Sequence, residues 1–473
     1  MSRFTLEPGN WYAMELMSPE FGADVRRYSP IRVDKVALAG NGSRRFDLSF
    51  FHAAYAEGVQ DKVYSIQTIQ RSDHFLIGQV VDTQRLVFFL ALSDTWLNQH
   101  FDDHSLNYLR DLQKAARPDP QDRYIACLLG GAVGDALGGA VEFMSRDEIL
   151  DRFGPAGIMD YAEAYGGKGR ITDDTQMTLF TAEGLLRGQM RGVSKGVTDF
   201  GHTVANAYLR WLATQGYETS SVELNLDGWP FEQRALHSQR APGMTCLSAL
   251  RDYPGIPDVA GNDSKGCGGV MRVAPVGLFW WSFRQNIDVQ RVFEDGCMCA
   301  GLTHGHPNGY LTGGVLAVVI FESLNGPTLP EALDTAKAIL VAKLGHEETL
   351  TALDRAIELS QSEIPHDIAI RELGEGWVAE EALAISVYCA LVSETFEQAI
   401  VLAVNHDGDS DSTGAITGNI LGAMLGTNAI PERWLQPLEL REVIEALASD
   451  LWSCQAWHSL MDDERLWDRY PGH

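Results

Sequence analysis

TGAITGNILGAMLG, residues 413–426, decides how the larger part of this chain folds. Gly414, Gly418, Gly422 and Gly426 recur every four residues, about one helical turn, in a run that is otherwise small or apolar. Each interior glycine costs a helix about 1 kcal/mol relative to alanine. Such a stripe is unfavourable unless another backbone packs closely against it. A second stretch, GGAVGDALGG (130–139), repeats the spacing with Gly130, Gly134 and Gly138. In membranes this pattern marks helix dimerisation, but both apolar runs are too short to span a bilayer. The two stripes therefore predict tight helix packing inside a soluble bundle.

Outward from these stripes, the pattern is helical almost throughout from Asp122 onward. RYIACLLGGAVGDALGGAV (123–141), PEALDTAKAILVAKL (330–344) and AEEALAISVYCALV (379–392) show helix periodicity or continuous burial. No short repeat is evident, and the expectation is an all-α multi-helix bundle. Residues 1–101 follow a different grammar. RFDLSFF, KVYSIQTIQ, HFLIGQVV and RLVFFLAL are short, rich in aromatic or β-branched residues, and separated by turn signals such as Asn41–Gly42. A helical stretch, HSLNYLRDLQKAA (104–116), follows, and RPDPQD supplies Pro118 and Pro120 at a domain boundary. The predicted organisation is a smaller β-rich α+β domain at 1–118 and an all-α domain at 119–473.

Bulk properties fit this division. A chain of 473 residues with 45% hydrophobic content is too long for one ordinary core. The net charge of −27 is uneven: residues 1–118 hold 13 Lys/Arg against 14 Asp/Glu, the remainder 24 against 50. Such a surface repels phosphate backbones, which disfavours nucleic acid as a partner. It suits a divalent metal or a basic protein. No run of 18 apolar residues indicates a membrane span. MSRFTLEPGN lacks the apolar core of a signal peptide. The seven cysteines are scattered, which argues against a disulfide framework and structural zinc, so the cytoplasm is the expected compartment.

Two acidic helix starts carry the candidate chemistry. ITDDTQ (171–176) places Asp173 and Asp174 side by side between Thr172 and Thr175, directly before MTLFTAEGLL. One reading is capping, with Asp173 and Gln176 as a capping box. Capping alone needs only one such residue. VNHDGDSDSTGA (404–415) precedes the second glycine stripe and alternates Asp409 and Asp411 with Ser410, Ser412 and Thr413. Hard divalent cations take oxygen ligands. If the two helix starts converge, Thr172, Asp173, Asp174, Asp409, Asp411 and Ser412 form an oxygen-rich site for two metals. If they do not, they are two unrelated acidic caps. The glycine and glutamate positions of an EF-hand are missing.

Three further stretches suit a phosphate or sugar site. KGCGGVMRVAPVG (265–277) clusters glycines before an apolar run, a composition that lets backbone N–H groups approach an anion, although glycine clusters also form simple turns. GLTHGHPNGY (301–310) carries His304 and His306 before Pro307, open to capping or site roles alike. GDALGGAVEF (134–143) brackets the end of the first glycine helix with Asp135 and Glu142. Asp135, within an apolar helix, needs a hydrogen-bonding partner.

The ordered set GDALG…EF, TDDT, GCGGVMR, THGHPNGYL, GWVAEEALAISVYC and GDSDSTGAITG resembles the ADP-ribosylglycohydrolase family, across roughly residues 122 to 455. THGHPNGYL together with GWVAEEALAI is most similar to its arginine-specific branch. The resemblance implies an all-α orthogonal bundle with two Mg²⁺ ions that engage the ribose hydroxyls beside the scissile bond. It assigns metal ligation to Thr172, Asp173, Asp174, Asp409, Asp411 and Ser412, the last where Thr is frequent. It gives catalytic roles to Asp173, Asp174 and Glu142, the last where some members carry a mobile glutamate. Substrate contacts fall to Gly268, Gly269, Val270, Met271 and His304. Residues 1–118 lie outside the resemblance.

The implied activity is Mg²⁺-dependent hydrolysis of ADP-ribosylated protein, with arginine as the expected linkage and ADP-ribose as product. Reversal of an endogenous modification and defence against an ADP-ribosylating toxin are both compatible with it. Two other readings stand beside it. The N-terminal domain can block a toxin or target sterically, with hydrolysis secondary. Alternatively, the enzyme acts on another ADP-ribose linkage: serine, a nucleic-acid end or a small guanidine.

Overall fold

The structure is a computed structural model. From residue 118 it describes all but 219–223, 257, 327, 460–463 and 473; before that, only the backbone of six strand segments. The chain divides into two compact units, Met1–Pro118 and Asp119–His473. In the first, Trp11–Leu16, Tyr28–Leu38, Arg44–Phe50, Gln60–Arg71, Phe75–Val80 and Leu86–Ala91 pair antiparallel in sequence order, and the last returns to the first. The Asn41–Gly42 turn and the helix expected at 104–116 lie outside the described residues.

The second unit is helical, with no strand among its described residues beyond two isolated bridges. Seven of its helices position the site: α1 (Pro120–Gly138), α2 (Asp173–Lys195), α3 (Phe200–Thr214), α4 (Pro307–Asn325), α5 (Ala379–Val392), α6 (Ser410–Leu425) and α7 (Arg441–Ser453). Local chemistry sets their starts. Asp119 caps α1 by accepting from the Gln121 amide at 2.8 Å, with Pro120 at the first helical position. Thr172 caps α2, which ends at Gly196 in the left-handed region. Asp409 caps α6 by accepting from the Ser412 amide at 3.2 Å.

The capping box expected of Asp173 and Gln176 does not form. Thr172 is the cap and accepts from the Asp174 amide, so Asp173 already lies in the first turn. The Gln176 side chain instead turns inward, accepting from Trp211 and Gln215 and donating to the Ser238 carbonyl. Burial of that amide against α3 wins over a local cap.

The two glycine stripes face each other. α1 and α6 run antiparallel, with Gly130 against Gly418, Gly134 against Gly414 and Gly138 against Ser410. A Cβ on Gly134 would lie 2.0 Å from the Gly414 carbonyl oxygen, and one on Gly418 would lie 2.0 Å from that of Gly130. Backbone-to-backbone contact returns the propensity loss through dispersion and displaced water. This crossing also fixes the site, because the start of α6 lies against the end of α1, where the chain turns toward Glu142.

Candidate active site

Asp135, fully buried on α1, binds the start of α2. Its carboxylate accepts from the Thr172 amide at 3.0 Å, the Thr175 amide at 3.0 Å and the Thr175 hydroxyl. Burial raises its pKa to about 6, against the pull of the Thr175 and Thr172 hydrogen bonds. Two helix starts far apart in sequence are thus both pinned to one helix: α2 through Asp135, and α6 through the glycine contact.

At that junction six carboxyl groups gather in a buried cluster: Asp135, Glu142, Asp173, Asp174, Asp409 and Asp411. Asp173 is raised to about 8 by burial first, then by Asp135 and Asp409, although the Gly243 amide donates to it at 3.2 Å. Asp174 is raised well above the usual range by burial, then by Asp173, Asp135 and Asp409. Asp411 rises for the same reasons, its charged neighbours being Asp174, Glu142 and Asp409. Glu142 is raised to about 9 by burial, then by Asp409, Asp173 and Asp135. The structure therefore brings together the 172–174 and 409–412 segments with Glu142.

The glycine-rich stretch forms a 3₁₀ turn, Cys267–Arg272, directly before the apolar helix Ala274–Ser282. Val270 and Met271 point into the core, and Met271 receives the Ser412 hydroxyl on its sulfur at 3.8 Å. His304 lies buried beneath the turn: a Cβ on Gly268 would come 3.1 Å from its ring. Burial, then Arg272, lowers the His304 pKa to about 3, so the ring is neutral and acts as packing and a hydrogen-bond partner for Thr303 at 2.8 Å.

Two features of the site escaped sequence reading. The Cys267 thiol lies 2.6 Å from an oxygen of Asp409. It sits inside a motif read for its glycines, and cysteine counts alone pointed only to a reduced thiol. Glu439 accepts from the Ile171 amide at 3.3 Å and from the side chains of Arg240 and Arg170. Arg240 in turn donates to the Ile171 carbonyl at 2.9 Å, and its own carbonyl accepts from the Asp173 amide at 3.2 Å. This network braces the acidic turn from below. No local motif announces it, because its members are isolated charges in loops.

The donor set fits a divalent cation. Among the described residues none of the six clustered carboxylates has a Lys, Arg or His partner, and Asp174 Oδ1 and Glu142 Oε2 are buried without a hydrogen bond. Orphaned buried carboxylate oxygens cost about 1–3 kcal/mol each or more, unless a cation meets them. Hydroxyls of Thr172 and Ser412 lie in the same two segments, and oxygen donors of this kind suit Mg²⁺. Among the described residues, no three His, Cys, Asp or Glu side chains are arranged to hold a metal ion as they stand.

The ADP-ribosylglycohydrolase family profile matches residues 116–459. The chain belongs to this family. It is 30% identical over 336 residues to an uncharacterised protein of Archaeoglobus fulgidus, covering 70% of this chain and 96% of that one. It is 23% identical to the ADP-ribosyl-[dinitrogen reductase] glycohydrolase of Rhodospirillum rubrum, covering 68% and 92%. It is 26% identical to the ADP-ribosylarginine hydrolase Tri1 of Pseudomonas putida, covering 70% and 78%. A solved ADP-ribosylglycohydrolase-related protein complex superposes with a TM-score of 0.52 at 30% identity, covering 71% of this chain and 98% of that one. As an ADP-ribosylglycohydrolase, this chain is a hydrolase of ADP-ribose glycosidic linkages. No described helix is long and apolar enough to cross a membrane.

Proposed function

We propose that this ADP-ribosylglycohydrolase removes ADP-ribose from arginine side chains of modified proteins, with two Mg²⁺ ions held by Thr172, Asp173, Asp174, Asp409, Asp411 and Ser412. The observation that carries this reading is the convergence of two acidic helix starts around carboxylate oxygens with no protein partner. Bound Mg²⁺ would supply electrostatic stabilisation of the ribose oxygens and polarisation at the reacting centre. The protein's own groups do the rest. Asp135 and the Glu439 network hold the acidic turn rigid, which keeps the ribose oriented over the carboxylates. Glu142, four residues beyond the end of α1, closes the acidic floor from the side. The backbone of Gly268 and Gly269, stiffened by His304, faces the diphosphate side of the ligand.

In the reaction, water adds to C1″ of the ribose, the C1″–N bond breaks, and the departing guanidine nitrogen takes up a proton. An acidic pocket favours the cationic form of that leaving group. The relatives acting on ADP-ribosyl-arginine and on ADP-ribosylated dinitrogen reductase support this choice of substrate. Residues 1–118 form a β-rich accessory domain that presents a modified protein, and the enzyme works in the cytoplasm. There it reverses an endogenous modification or protects against an ADP-ribosylating toxin.

The test is ADP-ribose release from arginine-, serine- and nucleic-acid-linked substrates, with Mg²⁺ and with EDTA. Mg²⁺-dependent release from the arginine substrate, lost in Asp173→Asn and Asp409→Asn, is expected. Equal release in EDTA, or in both variants, would reject the metal site.

A further inference from the structure

Phe143 and Trp377 stand out beside the acidic cluster as an exposed aromatic pair. Their rings stack with centroids 6.1 Å apart and planes 18° from parallel, yet Phe143 is 73% exposed and Trp377 39% exposed. Single exposed apolar side chains need no explanation. Two that come from distant segments to stack in solvent do.

Both belong to the mouth of the site. Phe143 directly follows Glu142, whose orphaned oxygen faces the cluster. Trp377 accepts a hydrogen bond on its carbonyl from the Cys267 amide at 3.2 Å, and the Cys267 thiol touches Asp409. Gly376, just before it, lies against Asp409: a Cβ there would be 3.4 Å from that of Asp409. The exposed residue Glu375 accepts on its carbonyl from the Asp409 amide at 2.8 Å and has no Lys or Arg partner among the described residues. Exposed aromatic faces at the edge of an acidic site are the surroundings that a flat, weakly hydrated cation prefers. Guanidinium is that cation, and tryptophan its best aromatic partner.

We propose that Phe143 and Trp377 are specificity determinants that stack on the guanidinium of an ADP-ribosylated arginine while the ribose lies over the acidic cluster. This rests on the reading of that cluster as the hydrolytic site. It adds where the leaving group goes and what selects it. A serine linkage offers no cation to the pair.

The experiment uses the full chain with Mg²⁺ and measures KM for ADP-ribosyl-arginine and the inhibition constant of free ADP-ribose, for wild type, Phe143→Ala, Trp377→Ala and Trp377→Phe. The expected result is an increase in KM of about tenfold in each alanine variant, with ADP-ribose inhibition unchanged within about twofold and most of the loss rescued by Trp377→Phe. If KM and the ADP-ribose constant rise together, the pair stacks on adenine or ribose and the proposal is overturned. If neither moves, it is overturned as well. Should wild type release no ADP-ribose from the arginine compound, the proposed linkage fails on its own. The dissociation constants of that compound and of ADP-ribose then decide about the pair by the same contrast.

Discussion

Gly134 and Gly414 meet so closely that a methyl group on the first would lie 2.0 Å from the carbonyl oxygen of the second. By helix propensity alone, Gly134→Ala would stabilise α1 by about 1 kcal/mol. In this packing it destabilises by about 1–3 kcal/mol or more, because the nearest atoms are backbone and cannot rotate away. Gly418→Leu is expected to prevent folding. Gly192, on α2, is the control: a Cβ there meets only the Thr198 side chain, at 3.6 Å. Gly192→Ala should raise the melting temperature. Thermal unfolding of the three variants reads the contrast, and a stable Gly134→Ala would refute the contact.

Stability in EDTA is expected to fall as pH rises. Asp173 is raised to about 8 and Glu142 to about 9, so between pH 4 and 9 these two carboxyls bind more protons in the folded state than in the unfolded one. Stability then decreases with pH through that window. A divalent cation replaces those protons, so Mg²⁺ should raise the melting temperature most at the alkaline end. A Mg²⁺ effect that is equal at pH 5 and pH 8.5 would contradict the assignment.

Glu439→Ala leaves Arg240 buried with a charge and no carboxylate. The expected cost is about 3–5 kcal/mol of stability. Glu439→Gln keeps the shape and the acceptor for the Ile171 amide. It should retain a folded protein with impaired ADP-ribose release, since the turn carrying Asp173 loses part of its brace. Denaturant unfolding beside steady-state kinetics separates the two effects; a fully active Glu439→Gln enzyme would remove the positioning role.

Residues 119–473 hold the entire acidic cluster. That fragment is expected to hydrolyse a small arginine-linked ADP-ribose substrate with a kcat/KM near that of the full chain. On a modified protein it should be markedly slower, if residues 1–118 present the target. Equal losses on both substrates would mean that the N-terminal unit only stabilises the enzyme.

Much of this was legible in the linear chain. Glycines spaced one turn apart on otherwise apolar runs have no local benefit, so they announce a partner backbone. Paired aspartates at a helix start exceed what capping requires, and the same excess in VNHDGDSDSTGA raised the expectation of a second acidic helix start beside the first, which the fold brings together with it. These signals are local in composition, and the physical penalty each residue carries is visible without coordinates. Which stripe meets which, and in what direction, was not legible, because propensity carries no information about partners.

The tertiary structure alone decided the rest. Asp135 had a legible need for a partner, but only folding shows that the partner is the Thr172–Thr175 turn. Gln176 looked like half of a capping box and became a buried acceptor for Trp211, because packing against α3 outweighs a local hydrogen bond. Glu439, Arg240, Cys267 and the Phe143–Trp377 pair carry no spacing signal at all. Their roles arise from residues far apart in the chain meeting at one place, and the energies that matter there, burial of charge and contact between rings, exist only after the chain has closed around them.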